Sequence, residues 1–109
     1  IFNRLNANMP LQLNSTVQYA AGLRGQISLS KASTNIASPY NTYRNLGLPP
    51  TPISNPSSAA IRAAQDPVAG DWLYFITVKP GDTRFTKSFT QFQDWNTLYN
   101  NNLANGLFK

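Results

Sequence analysis

Residues 38–56 (SPYNTYRNLGLPPTPISNP) hold five of the eight prolines in a chain of 109 residues. They show neither the alternation of a strand nor the recurrence of a helix. Pro49, Pro50 and Pro52 hold their own φ near about −65° and bias the residues before them toward extended or polyproline geometry, so the stretch is stiff before any packing occurs. Tyr40, Tyr43, Leu46, Leu48 and Ile53 supply apolar anchors that a flexible linker would lack. An ordered loop is therefore expected here, of a kind suited to form the wall of a cleft. At 12.0 kDa the chain has room for one domain or a piece of one.

Short elements are expected on either side. Residues 1–8 place Ile1, Leu5 and Phe2 on one side at helical spacing with Arg4 opposite, and read as the last turns of a helix stopped by Met9-Pro10. Residues 11–13 are expected to be extended. Asn14 or Ser15 can cap a helix holding Val17, Ala20 and Ala21 and closed by Gly22. Residues 28–34 form a second short helical candidate. Asn55-Pro56 signals a helix over residues 56–65 with Ala60, Ile61 and Ala64 buried. Residues 72–78 (WLYFITV) are the strongest strand, apolar enough for burial on both faces. Pro80-Gly81-Asp82 predicts a turn, and residues 84–87 a returning strand with Phe85 inward. A last helix from Ser88 or Thr90 carries Phe89, Phe92, Trp95, Leu98 and Tyr99 as a packing face, and fraying is expected beyond Asn100.

Composition removes most catalytic chemistries. The chain has no Cys, no His and no Glu, so disulfides, Cys or His metal sites, Ser–His nucleophiles and histidine acid–base catalysis are excluded. A general acid for glycoside cleavage needs a carboxyl in an apolar pocket, and only Asp66, Asp71, Asp82 and Asp94 exist. Each has a plain structural explanation at a helix end, a strand start, a turn or a polar helix face. Lys31 and Lys79 could form Schiff bases with pyridoxal phosphate, yet no phosphate cradle accompanies them. Polarity comes instead from 13 Asn, 6 Gln, 9 Ser and 9 Thr, which suits neutral, hydroxyl-rich ligands. The net charge of +5 is spread singly along the chain. Only Lys79, Arg84 and Lys87 approach a cluster, so a solvated surface is favoured over a nucleic-acid footprint. No apolar run is long enough for a membrane span. The amino end resembles neither a signal peptide nor a translation start, which suggests that the chain is cut from something longer.

The order of motifs carries more. Tyr40-Asn41-Thr42-Tyr43, then Gly47-Leu48-Pro49-Pro50-Thr51-Pro52-Ile53 and Asn55-Pro56, resemble the YceG-like family, the endolytic murein transglycosylases. Asn3-Arg4-Leu5, Met9-Pro10-Leu11-Gln12, Thr16-Val17 and Tyr19 match upstream. Ala60, Ile61 and Ala64, then Pro67 and Leu73-Tyr74-Phe75, match downstream. The resemblance covers about residues 2–90. Departures are Asn14 in place of the usual Asp, which keeps the hydrogen-bonding shape without the charge, Thr51 and Ser57 in place of glycines, and a different ending over residues 91–94.

The resemblance implies an α+β fold of short helices on a small sheet with one hairpin, forming the carboxy-terminal part of a larger catalytic domain. It implies cleavage of the β-1,4 bond between MurNAc and GlcNAc, with a 1,6-anhydro product and no cofactor. Its catalytic Glu lies on a helix preceding Asn3-Arg4-Leu5, so the 109 residues alone are expected to contain no catalytic residue and to be inactive. Gln12, Asn14, Thr16, Tyr40, Asn41, Tyr43 and Asn55 are the expected glycan-contacting residues. A plainer reading has Asn41 and Asn55 capping turns and the tyrosines packing the loop down. Peptidoglycan strands are the expected partner, with the parent protein anchored in a bacterial membrane, its catalytic part outside the cytoplasm, beside the wall-synthesis machinery. Some members of the family carry an aminodeoxychorismate lyase label, for which the residues offer no pyridoxal chemistry. The alternatives are a glycan-binding module without cleavage and a nucleic-acid binder, whose affinity would fall steeply with salt.

Overall fold

A computed structural model describes residues 1–22 and 33–108. The chain divides into two compact units, Ile1–Val68 and Ala69–Lys109. Among the described residues, four α-helices and one antiparallel hairpin make the arrangement α+β.

In the first unit, α1 (Phe2–Asn6) is a single short helix ending at Ala7. Asn8 follows with φ 54°, a left-handed conformation that Asn tolerates. α2 (Asn14–Ala21) begins after Leu13, whose backbone is extended, and ends at Gly22 with φ 69°. The Gly22 stop matches expectation, because only glycine adopts that conformation without a Cβ penalty. The expected side-chain cap does not form: Leu13 is the cap residue. Its amide donates to Thr42 Oγ1 at 2.9 Å, and Thr16 Oγ1 donates to the Leu13 carbonyl at 2.7 Å. Thr42 thus does from a distant loop what Asn14 or Ser15 could have done locally. The expected extended stretch 11–13 is interrupted at Gln12, where φ is 53°.

Of the helical candidate 28–34, residues 28–32 lie outside the described part. Ser33–Asn35 form a single 3-10 turn. The proline-rich loop is ordered, but its anchors differ from expectation. Tyr40, Tyr43 and Ile53 are half-buried, whereas Leu46 and Leu48 are 65% and 66% exposed. Asparagine side chains take their place. Asn41 is fully buried; its Nδ2 donates to the carbonyls of Thr34 and Ile36, at 3.0 and 2.8 Å, and its Oδ1 accepts from the Tyr43 amide at 3.0 Å. Asn45 Nδ2 donates to the carbonyls of Ser38 and Asn41. Backbone groups that a helix or sheet would have satisfied are satisfied by amides. The core of this unit is correspondingly polar: Leu11 and Val17 are buried beside Thr16, Asn41 and Thr42.

α3 (Ser58–Gln65) starts two residues later than Asn55-Pro56 suggests, because Ser57 is the cap and its Oγ accepts from the Ala60 amide at 3.1 Å. Ala60, Ile61 and Ala64 are exposed rather than buried. Among the described residues no other helix or strand packs against α3.

The second unit is a hairpin with one helix on it. β1 (Tyr74–Lys79) pairs antiparallel with β2 (Asp82–Thr86) through a turn at Pro80-Gly81, with an irregularity in the pairing between Thr77 and Lys79. α4 (Phe89–Ala104) is capped by Ser88, whose Oγ accepts from the Gln91 amide. It covers one face only: Tyr74 meets Phe89 and Phe92 with ring centroids 5.6 and 5.4 Å apart. On the opposite face Phe75 and Phe85 stack at 6.0 Å and remain 50% and 54% exposed, with Trp72 5.9 Å from Phe85. Burial of β1 on both faces and an inward Phe85 are therefore corrected, since one helix covers one side of a two-stranded sheet. The far end of α4 does not fray at Asn100 either. The helix runs on to Ala104, where Asn102 Nδ2 donates to the Val78 carbonyl at 2.8 Å.

Candidate functional site

The sequence-predicted residues, apart from Asn55, meet where α2 and the proline-rich loop come together in the first unit. A groove of about 900 Å³ runs between them. Leu13, Thr16 and Tyr19 line it from α2 and the turn before it, and Pro49, Thr51 and Ile53 line it from the loop. The placement follows from local rules. Thr16 and Tyr19 are three residues apart and share a helix face, while the prolines hold the opposing wall extended without any backbone ladder.

Two ties keep the loop at this distance. Tyr40 hydroxyl and Thr51 Oγ1 share a hydrogen bond of 2.7 Å, and the Tyr40 ring meets Tyr19 at 4.9 Å. Deeper down, Thr16 Oγ1 and Thr42 Oγ1 lie 2.9 Å apart, both buried. The Thr16 hydroxyl hydrogen is committed to the Leu13 carbonyl, so Thr42 is the donor of this pair.

A second polar group sits at the start of α2. The Tyr43 hydroxyl donates to Asn14 Oδ1 in a short hydrogen bond. Burial raises the Tyr43 pKa, and the charge of Arg4 partly offsets that rise. Arg4 Nη1 donates to the carbonyls of Pro10 and Leu11 and to Gln12 Oε1, at 2.9, 3.2 and 3.1 Å.

Of the seven expected glycan-contacting residues, Thr16 lines the groove and Tyr40 ties its wall. Gln12, Asn14 and Tyr43 form the polar group beside it. Asn41 is enclosed within the loop. Asn55 is exposed, one residue beyond Ser54 at the groove's edge. Arg4, Tyr19, Thr42 and Thr51 were not among the expected site residues. Tyr19 was within reach of sequence reasoning through its helical spacing from Thr16; Thr42 and Thr51 act through contacts too distant in sequence to be read from spacing.

Two of the four aspartates face cations on the hairpin unit. Asp82 accepts from Arg84 through both oxygens, at 3.1 and 2.9 Å. The Arg84 hydrogen bond holds its carboxyl below the usual range, the reverse of what a proton donor requires. Asp71 faces Lys87 at 3.2 Å, with both side chains exposed. Of the expected basic trio on the hairpin, Arg84 and Lys87 are thus each matched with a carboxylate. Among the described residues no three potential metal ligands lie together, and no helix is long and apolar enough to cross a membrane.

Residues 1–97 match the sequence profile of the YceG-like family. The chain is 44% identical over 90 residues to an endolytic murein transglycosylase of Bacillus subtilis, covering 83% of this chain and 25% of that protein. It is 48% identical over 79 residues to an endolytic murein transglycosylase of Streptococcus pneumoniae, covering 69% of this chain and 14% of that one. The chain therefore spans a quarter or less of the length of these curated relatives. The crystal structure of a yceG-like protein from Listeria monocytogenes superimposes with a TM-score of 0.77 at 38% identity, over 85% of this chain and 29% of that chain.

Proposed function

The chain belongs to the YceG-like family, and from that premise we propose that it forms the glycan-gripping wall of an endolytic murein transglycosylase. The observation that carries the reading is the groove between α2 and the proline-rich loop, with Tyr19 and Thr51 on its walls and Tyr40 in contact with both. Aromatic rings present apolar faces to sugar rings, and neutral amides and hydroxyls match sugar hydroxyls. Gln12, Asn14, Tyr40 and Tyr43 are the residues assigned to the glycan, with Asn55 at the edge and Thr16 buried behind them, its hydroxyl held by Leu13 and Thr42. Asn41 acts by holding the loop.

The chemistry assigned to the whole protein is cleavage of the MurNAc–GlcNAc β-1,4 bond. One carboxylic acid protonates the leaving oxygen. The resulting carboxylate then accepts the proton of the MurNAc C6 hydroxyl as that oxygen attacks C1, giving a 1,6-anhydro end. The acid is a Glu on a helix before Asn3-Arg4-Leu5, by the family pattern. The whole protein is held at the bacterial membrane with this part outside the cytoplasm, beside the wall-synthesis machinery; cell fractionation and cross-linking test that placement.

Digestion of purified murein, read by mass spectrometry, tests the chemistry. The whole protein is expected to release 1,6-anhydro ends and the 109 residues alone none. Anhydro ends released by the 109 residues would mean that one of their own aspartates is the acid. A whole protein that retains murein without cutting it would instead be a glycan-binding module.

A further inference from the structure

We propose that Arg4 is a positioning residue that fixes the Gln12 carboxamide as a hydrogen-bond donor to an acceptor oxygen of the glycan. This deepens the reading of the groove as a glycan wall and rests on it.

The backbone supplies the first reason. Gln12 has φ 53°, a region that glycine enters freely and that a side chain with a Cβ rarely adopts. Asn8 has nearly the same angle, but an Asn side chain suits it and Gln does not. The conformation at Gln12 is imposed from outside. Its amide donates to the Thr42 carbonyl at 3.2 Å, the next amide donates to Thr42 Oγ1, and Arg4 Nη1 holds the two carbonyls before it. Unfavourable backbone held by several independent contacts is characteristic of positions whose side chain must point one way. A loop needing only the bend would be served by glycine.

The side chain supplies the second. Gln12 is exposed, and its Oε1 accepts from Arg4 Nη1 at 3.1 Å. A guanidinium has donors and no acceptor, so the carboxamide orientation is not ambiguous: the oxygen faces Arg4 and the nitrogen faces away. Gln12 therefore offers N–H donors to solvent one residue before Leu13, which lines the groove. A neutral donor in that place fits a carbonyl or hydroxyl oxygen of an N-acetylated sugar.

Gln12→Glu separates donor from fold, because it keeps the oxygen that faces Arg4 and removes the amide hydrogens. In the whole protein, the melting temperature is expected to hold and KM for murein to rise at least about tenfold, with a smaller change in kcat. Arg4→Lys is expected to raise KM severalfold. The two substitutions together should be no worse than Gln12→Glu alone, since Arg4 acts through Gln12. An unchanged KM in Gln12→Glu, or losses that add in the double variant, would overturn the proposal. Calorimetry with chitotetraose gives a readout that needs no turnover: Kd weakened at least about fivefold by Gln12→Glu supports it. Equal Kd values, or no binding by the unsubstituted protein, overturn it. A protein that binds chitotetraose in this Gln12-dependent way yet yields no anhydro ends refutes the transglycosylase reading and leaves this one standing.

Discussion

The two units solve the same problem with opposite materials. Among the described residues, Ile1–Val68 has short helices and no strand, and buries Thr16, Asn41 and Thr42 alongside two hydrophobic side chains, Leu11 and Val17. Ala69–Lys109 has a hairpin and a helix of four turns, joined by aromatic contacts from Tyr74 to Phe89 and Phe92. Where the backbone pairs with itself, apolar rings suffice. Where proline and left-handed residues forbid that pairing, side-chain amides and hydroxyls must satisfy the backbone one group at a time, and each becomes hard to replace.

The contrast is broken most severely at Asn41. Asn41→Ala removes the hydrogen bonds that its Nδ2 donates to the carbonyls of Thr34 and Ile36 and the one that its Oδ1 accepts from the Tyr43 amide, inside a fully buried site. A loss of about 3 kcal/mol in denaturant melts is expected. Thr42→Val preserves shape but strands the Leu13 amide and takes one donor from the Thr16 hydroxyl oxygen, for about 2 kcal/mol. In the second unit the matching substitution should cost less. Asn102→Leu frees only the Val78 carbonyl, for about 1 kcal/mol, and hydrogen exchange should show the last turns of α4 opening first. If Asn102→Leu proved as costly as Asn41→Ala, the division into polar-held and ring-held units would fail.

What could be read from the sequence follows the same line. The helix stop at Gly22, the turn at Pro80-Gly81, the stripe from Phe89 to Tyr99 and the ordered proline stretch depend on neighbours in sequence, and local rules find them. Leu13 as the cap of α2, Leu46 and Leu48 left exposed, Gln12 left-handed and α4 persisting past Asn100 depend on partners 24 or more residues away or on what covers a surface. The candidate site divides likewise. Tyr40 and Thr16 were legible as polar or aromatic groups beside a stiff loop; Arg4 was not, because its role comes from where the chain doubles back at residues 10–12.

The smallest effects are in pH dependence, and they too differ between the units. Burial raises the Tyr43 pKa, so the stability it contributes is complete below the ordinary tyrosine value and is lost as pH rises through the folded one. Tyr43→Phe should flatten part of the alkaline limb of a stability–pH curve, the rest including Tyr99, which burial also raises. Asp82 is shifted down by Arg84, so its contribution is present above the ordinary carboxylate value and disappears as pH falls through the folded one. Asp82→Asn should flatten the acid limb slightly, a change that thermal melts across the acid range can measure.

Both tryptophans of the chain, Trp72 and Trp95, belong to the second unit, one beside Phe85 and the other under the Arg84 guanidinium. Indole emission therefore watches the hairpin and is blind to the groove. A denaturation curve followed by that glow alone would register a healthy protein while the proline-rich loop had already come undone; tyrosine signals from Tyr19, Tyr40 and Tyr43 are the ones to follow.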